Sequence, residues 1–457
     1  MPSIPLGLGD WESTTQDVQR LKLHNMYVVP SPASPDGVSR VSRPTLTLKG
    51  TVGVGPVTAI WQQNNVLAGK LIIASGTELY SSGTDLISTK IANLPGTDIP
   101  QFAGSQNILY VVRNGLLYYT TGTTLTLVTI PDSQIVQSIA TINGYFLFSI
   151  KDTQKFYWIE PGATTVNALN FASAERIPDA IVAIQVIGDE VWFLGAAGPE
   201  VWAPTGEATA PFLRVSGRVY KEGCLNRDTV VSTSIGGIPA LLWVTDTKAV
   251  VRSQGAPEKV SNESVEEILK TSDALSCWFF RYNRHDFYII NSPIFTLVYD
   301  ITTDQWSRWD TYNKAFWVAQ TGSQINSVVF CGDITSSTIY TLEEGSDDAG
   351  LPIVREVAGF LANYGKPLKC NEVVAYVNSG WSPSYTTIPT LELRWSDNLG
   401  ATWSNYVQAS LGERGDYSRA VSFRSLGLIR DPGRIFEFRI SDFVRFRIDG
   451  VLMNERL

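Results

Sequence analysis

Histidine is the usual side chain for acid–base and metal chemistry near neutral pH, and this chain contains only His24 and His285. Because the two lie in different segments, the sequence excludes clustered-histidine metal sites such as H-E-x-x-H and disfavours a Ser-His-Asp triad. No Walker-type Gly-Lys-Ser/Thr and no G-x-S-x-G elbow occurs, and the paired glycines at 7–9 and 53–55 open no predicted helix. The sequence therefore predicts a protein that is not an enzyme and has no catalytic, cofactor-binding or metal-binding residues.

Two other groups of residues have side chains that could bind metal ions. The cysteines are far apart in sequence, which favours small buried apolar residues over a zinc site or a redox pair; they are Cys224, Cys277, Cys331 and Cys370. The acidic stretch 343–350 holds four carboxylates, but their spacing matches no known calcium loop. We interpret that stretch as a solvated linker between two domains.

One motif points to carbohydrate chemistry. Residues 396–403, SDNLGATW, resemble the Asp-box S-x-D-x-G-x-T-W of sialidase propellers, with Asn398 where the box has Asp. In those proteins the box stabilises a hairpin turn away from the active site, so it predicts a β-hairpin. A carbohydrate-binding or sialidase-like propeller nevertheless remains the alternative function.

Arginines near the end of the chain are candidates for contacts with other proteins. Between residues 411 and 457 there are nine Arg and seven Asp or Glu, whereas the chain as a whole has a formal charge of -8. Arg439, Arg445 and Arg447 either form a solvated strand face or meet acidic neighbours in an assembly. We therefore take these three residues as interface candidates.

The overall composition limits the partners and the location. A pI near 5.1 argues against a protein that grips nucleic acid by neutralising phosphates, although an acidic wall suits a conduit through which DNA slides. The start of the chain has neither a basic nor an apolar signal region, and no run of 18 apolar residues occurs. We expect a protein made in a cytoplasm, and kept there or assembled into a particle, without a membrane partner.

Short strands and turns recur along the middle of the chain. Seven aromatic or aliphatic strands begin about 37 to 50 residues apart, the spacing of four-stranded propeller blades; they start near Leu71, Ile108, Tyr145, Val191, Leu241, Phe287 and Val328. The Asn114-Gly115 turn is the strongest hairpin signal among them. We predict an all-β protein with a degenerate β-propeller of six or seven blades; a β-sandwich of hairpins is the main alternative.

The flanking segments differ from this repeat. Residues 1–50 are rich in proline and are predicted to form an extended arm with one strand near residues 21–29. The propeller is assigned to residues 51–345, with a short helix at 261–270. Residues 346–457 alternate apolar and polar side chains, as in 390–395 and 436–440, and predict a C-terminal β-sandwich.

With these features in order, the chain resembles the packaged-DNA stabilisation or tail accessory proteins of short-tailed phages. The similarity lies in residues 25–28, 223–270, 285–306 and 330–333, and in a C-terminal run from Trp395 to Asp442. It implies a virion tail hub: a propeller subunit in a homo-oligomeric, hexameric ring below the portal and its adaptor. Such a ring closes the DNA exit channel, lets DNA pass without sequence-specific binding and attaches a needle, spikes or fibres. No catalytic residue carries over from that family.

Overall fold

The structure is a computed structural model that describes residues 3–9, 21–32, 34–207, 209–381, 388–417 and 419–453. These residues form 42 strands and one α-helix, so the predicted all-β class is confirmed. The helix α1 (Glu263–Leu269) begins after Asn262, whose side chain accepts a hydrogen bond from the Val265 N–H. Three single 3-10 turns lie at Leu67–Gly69, Pro131–Ser133 and Arg227–Thr229. No helix in the described ranges is long and apolar enough to cross a membrane.

The first four strands come from the segment assigned to the arm. They are β1 (Lys22–His24), β2 (Met26–Pro30), β3 (Val38–Ser42) and β4 (Thr45–Thr51). Asn25 has a φ of 53°, a left-handed conformation that asparagine tolerates better than most residues. This turn separates β1 from β2 and lets the two strands join different sheets.

Seven four-stranded blades follow, each built mainly from consecutive antiparallel strands; six are separate sheets, and blade 6 is part of a nine-stranded sheet. Their strands are β5 (Val57–Trp61), β6 (Leu71–Ser75), β7 (Glu78–Ser82) and β8 (Ser88–Asn93) in blade 1; β9 (Gln101–Ser105), β10 (Ile108–Arg113), β11 (Leu116–Thr120) and β12 (Leu125–Leu127) in blade 2; β13 (Val136–Ile142), β14 (Tyr145–Ile150), β15 (Lys155–Ile159) and β16 (Phe171–Ser173) in blade 3; β17 (Ile181–Ile187), β18 (Glu190–Gly195), β19 (Pro199–Pro204) and β20 (Phe212–Val219) in blade 4; β21 (Val231–Ile235), β22 (Ile238–Val244), β23 (Val250–Ser253) and β24 (Pro257–Lys259) in blade 5; β25 (Ser276–Tyr282), β26 (His285–Asn291), β27 (Thr296–Asp300) and β28 (Gln305–Arg308) in blade 6; and β29 (Ala319–Ile325), β30 (Val328–Asp333) and β31 (Thr338–Glu343) in blade 7.

The blades close into a ring because every neighbouring pair shares a buried apolar cluster. Between blades 7 and 1 this cluster contains Val57, Leu71, Phe330 and Ile339. Burial of apolar side chains between sheets supplies most of the free energy that holds such a ring together. The predicted propeller is confirmed, with seven blades in the described residues.

Blade 7 takes its outer strand from the end of the segment that was assigned to the arm. Strand β4 pairs antiparallel with β31, with Thr47 opposite Thr341 and Leu46 opposite Leu342. Leu46 is 1% exposed and packs in the cluster between blades 6 and 7. Residues 45–50, which the sequence interpretation placed in the arm, therefore complete the ring.

One side chain spans the axis of the ring at one end. Arg227, just before blade 5, donates hydrogen bonds to Asp98 Oδ2 at 2.8 Å and to the Ile99 carbonyl at 3.0 Å, both just before blade 2. It also donates to the carbonyl of Gln137 in blade 3 at 2.6 Å. Blades 2 and 5 are as far apart as two members of a seven-membered ring can be, so this ion pair, in which Arg227 is 9% and Asp98 33% exposed, crosses the middle of the ring.

The C-terminal strands form a sandwich together with the arm. They are β32 (Asp347–Asp348), β33 (Leu351–Pro352), β34 (Arg355–Ala362), β35 (Leu368–Lys369), β36 (Glu372–Val377), β37 (Thr390–Ser396), β38 (Val407–Ser410), β39 (Val421–Arg424), β40 (Leu428–Ile429), β41 (Gly433–Ile440) and β42 (Arg447–Met453). One sheet has the order β2-β3-β42-β36-β39, and the other adds β1-β34-β41-β37-β38 to blade 6. Their common core includes Ile4, Leu23 and Met26 from the arm.

The arm packs against both the propeller and the sandwich. Strand β1 pairs in parallel with β28 of blade 6 and antiparallel with β34 of the sandwich. The apolar side chains of Leu23 and Val28 bury themselves in the sandwich core, which accounts for this packing. The result is one nine-stranded sheet that runs from the propeller into the C-terminal domain.

Candidate interaction surface at the propeller–sandwich junction

A buried ion pair lies where the arm, the propeller and the sandwich meet. The guanidinium of Arg43 is 0% exposed and forms a bidentate pair with Asp348, which is 2% exposed. Arg43 also donates to the side chain of Asn25 at 2.9 Å and to the carbonyl of Asp310 at 2.8 Å. Its cation lies 5.5 Å from the ring centroid of Trp317. All five N–H donors of Arg43 are thus used, two by Asp348 and one each by Asn25, Asp310 and the carbonyl of Pro44.

Asp348 corrects the interpretation of the acidic stretch as a solvated loop. Its carboxylate accepts hydrogen bonds from Arg43 and from the Leu46 N–H, and it is buried because Arg43 compensates its charge. Within the part of the chain that is described, no group of three or more His, Cys, Asp or Glu side chains could hold a metal ion. Through Asp348, the acidic stretch therefore forms an ion pair with Arg43 of the arm.

A second charged cluster surrounds His24 in β1. The Nε2 of His24 lies 3.0 Å from Asp310 Oδ2, and its Nδ1 lies 3.3 Å from Glu356 Oε2. Burial by itself lowers the pKa of His24, but the hydrogen bonds and charges of Asp310 and Glu356 outweigh it and raise this pKa to about 9. The same contacts lower the pKa of Glu356 to about 2 despite its burial. At neutral pH, His24 is a cation joining the propeller to the sandwich.

His24 predicts a loss of stability at alkaline pH. Its pKa is about 9 in the folded chain against 6.5 for the ordinary group, so the extra stability is fully present below pH 6.5 and disappears as the pH rises through 9. The linkage amounts to about 3 kcal/mol. We expect the free energy of unfolding of the wild type to exceed that of His24→Asn by more at pH 6 than at pH 10, measured by urea unfolding. A difference that is constant across this range would contradict the prediction.

The three arginines proposed as interface residues lie in two places. Arg445 and Arg447 line a groove of about 400 Å³ between the sandwich and blade 6, together with Tyr282 and the exposed Trp381. Arg445 pairs with Glu344 at 3.2 Å, and Arg447 pairs with Asp449 at 2.6 Å. Arg439 lies instead on β41 in the other sheet. The structure thus brings two of the three together, and their role as an interface stays a prediction.

The outer face of the nine-stranded sheet carries a row of alternating charges. The strand register places His24 opposite Glu356, Glu356 opposite Arg439, and Arg439 opposite Glu392. Two residues from Arg439 along β41, Glu437 lies opposite Arg394. Its carboxylate accepts a hydrogen bond from the Arg394 Nε at 2.6 Å. Opposite charges on neighbouring strands stabilise the sheet modestly. This face is therefore held in a fixed arrangement by its own charges.

Sequence reasoning missed most of this junction. Arg43, Asp348 and His24 come from segments that are distant in sequence, and nothing local predicts their pairing. Glu392 and Arg394 could have been predicted to lie side by side, because the alternation of apolar and polar residues in 390–395 places both on one face of a strand.

The remaining chemical motifs have internal structural roles. In the Asp-box-like turn, Ser396 Oγ accepts a hydrogen bond from the Gly400 N–H at 2.9 Å, and Asn398 Oδ1 accepts one from the Thr402 N–H at 2.8 Å. This turn joins β37 to β38 in a hairpin, as the motif predicts. Burial raises the pKa of the Cys224 thiol to about 12, so that thiol stays protonated at neutral pH. None of the four cysteines is in a disulfide.

Comparison with known families decides what kind of propeller this is. A family profile described as bacteriophage P22 Gp10, beta-propeller, matches residues 2–347, which include the arm and all seven blades. The chain belongs to this family. The resemblance to phage tail accessory proteins expected from the sequence is thereby confirmed, and this Gp10-type chain is a phage tail accessory β-propeller.

Solved structures similar to this Gp10-type chain are distant. The extracellular domain of a one-component system of B. thetaiotaomicron has a TM-score of 0.44 and 9% identity over 91% of this chain, which spans 60% of that domain's length. Kluyveromyces lactis Hsv2 has a TM-score of 0.36 and 13% identity over 63% of this chain and 95% of its own. The Neurospora crassa Pan2 WD40 domain has a TM-score of 0.41 and 10% identity over 70% and 94%. No curated protein sequence matches the chain.

Proposed function

We propose that this Gp10-type chain is a structural protein of the virion, the hub that joins the portal or its adaptor to the distal parts of a short tail. The observation that carries the proposal is the family match over residues 2–347. In this role the protein is not an enzyme and needs no cofactor. It forms a homo-oligomer, a hexamer, that closes the DNA exit channel, retains packaged DNA and attaches needle, spike or fibre proteins.

The ion pair across the middle of the ring supports a particular route for DNA. Because Arg227 reaches across the ring to Asp98, we propose that duplex DNA does not pass through a single propeller. In a ring of copies the passage is the space that the copies surround. The net charge of -8 suits a wall along which phosphates slide without being held.

The proposal is tested on virions and on the purified chain. Mass spectrometry of purified virions is expected to detect the chain in tails, and mass photometry of the chain or of isolated tails is expected to show closed rings near six copies. A strictly monomeric chain that is absent from virions would overturn the proposal. Release of sialic acid from a model substrate would favour the carbohydrate-active alternative instead.

A further inference from the structure

Two arginines on the outer face of the nine-stranded sheet are held flat by aromatic rings. The Arg394 Cζ lies 4.5 Å from the ring centroid of Trp403 and 4.9 Å from that of Tyr406. The Arg439 Cζ lies 5.4 Å from the same Tyr406 ring. The four side chains therefore contact in the order Trp403, Arg394, Tyr406, Arg439, which we call the arginine stack. Stacking of this kind fixes a guanidinium before any partner arrives.

The stack leaves most of its hydrogen-bond donors unused. Arg394 donates from Nε to Glu437 Oε1, and its two terminal nitrogens have no hydrogen-bond partner among the described residues. Arg439 lies 3.8 Å from both Glu356 and Glu392, beyond hydrogen-bond distance, and its Nε has no hydrogen-bond partner in the described residues. A guanidinium has five N–H donors arranged to match a carboxylate. The Nε of Arg394 is bound to Glu437 and that of Arg439 is buried, so the donors that both arginines offer to a partner are those of their terminal nitrogens.

Charges on this face are arranged with the cations outward. The side chains of Glu437 and Glu356 are 3% and 12% exposed, whereas those of Arg394, Arg439 and Lys22 are 26%, 34% and 32% exposed. Two further acids, Glu392 and Asp310, are 21% and 25% exposed, so the cations extend outward only somewhat further than the acids. Charge complementarity favours an acidic partner here.

A cavity of about 440 Å³ adjoins the stack. Its lining includes Arg394 and Trp403 of the sandwich, Lys22 of the arm, Ile294 and Phe295 of blade 6, and the carboxylates of Asp310 and Glu437. Ile294 is 53% exposed, so apolar surface is available beside the arginines. Pockets of this size with apolar walls and a few placed charges are typical binding sites.

We infer that the arginine stack and this cavity bind an acidic segment of a partner protein, with a carboxylate on Arg394 and Arg439 and a neighbouring aliphatic side chain against Ile294 and Phe295. This rests on the proposed function, because an assembly hub needs such contacts. The proposal assigns Arg439 a partner and adds Arg394, and it leaves Arg445 and Arg447 outside this site.

The test uses two synthetic peptides as probes. The full chain is titrated with labelled acetyl-Leu-Glu-Leu-Glu-amide and with its glutamine counterpart, acetyl-Leu-Gln-Leu-Gln-amide, at low and high salt. We expect the acidic peptide to bind roughly tenfold more tightly, with a difference that shrinks in salt. Equal binding of the two peptides, or no binding of either, would overturn the inference.

Conservative variants show whether the forked donors are responsible. Arg394→Lys with Arg439→Lys keeps both charges but removes the forks and the stack, and it is expected to weaken acidic-peptide binding roughly tenfold. Arg424→Lys is the matched control, because Arg424 is exposed on the other sheet and pairs with Glu372. Unchanged binding by the double variant, with the unfolding midpoint retained, would count against the site. Presence in virions is measured separately, so a chain found in tails that ignores the peptide overturns only this inference.

Discussion

Replacing Arg43 with alanine is expected to lower the free energy of unfolding by about 3–5 kcal/mol. The substitution leaves Asp348 buried at 2% exposure without its bidentate partner, and it removes donors to Asn25 and Asp310. A buried carboxylate without a counter-charge is far costlier than a lost surface pair. Urea unfolding followed by tryptophan fluorescence measures the change.

Two controls separate buried charge from lost packing. Arg445→Ala breaks a pair with Glu344 that is half exposed on both sides, and it is expected to cost less than about 1 kcal/mol. Arg43→Met combined with Asp348→Leu removes both charges and is expected to recover much of the loss. If Arg43→Ala costs no more than Arg445→Ala, the buried pair does not hold the junction together.

Leu46→Ala is expected to destabilise the propeller by about 2–5 kcal/mol. Leu46 is 1% exposed among the aromatic side chains between blades 6 and 7, on the strand that completes blade 7. Leu48 lies on the same strand at 60% exposure, so Leu48→Ala is the matched control and should change stability by less than about 0.5 kcal/mol. The two variants are compared by chemical unfolding. Equal losses of stability in the two variants would mean that β4 stabilises blade 7 through its backbone hydrogen bonds and not through the burial of Leu46.

The seven blades could be predicted because each is made almost entirely of neighbouring strands. Hairpins such as β10–β11, with Asn114 and Gly115 in the turn, are specified by residues a few positions apart. Apolar strands at regular intervals then require a repeating architecture. Local signals of this kind are strong enough to predict the blades from the sequence.

The arm could not be placed in the same way. Strand β4 pairs with β31 and strand β1 with β34, partners about three hundred residues away. Pairing over such a distance depends on the assembled ring and leaves no local pattern in the sequence. The same holds for Arg43 and Asp348, because a buried ion pair is recognised only when both partners are seen together.

The sequence indicated which residue type forms the candidate site but not how the side chains contact one another. Arginine was expected to matter near the C-terminus, and Arg439 does lie in a charged row. The sequence could not show that Tyr406 and Trp403 hold the neighbouring Arg394 flat, because these contacts cross from one strand to a turn. Aromatic contacts between a strand and a turn have no fixed spacing.

The position of β4 also has a consequence for biosynthesis. Its partner β31 ends at Glu343, so β4 stays unpaired until about three-quarters of the chain has been synthesised. At bacterial translation rates this interval lasts roughly 15–60 s, during which the nascent chain exposes an unpaired strand. We therefore expect ribosome-associated chaperones to bind this chain during synthesis, and expect a message truncated before codon 338 to yield aggregated product.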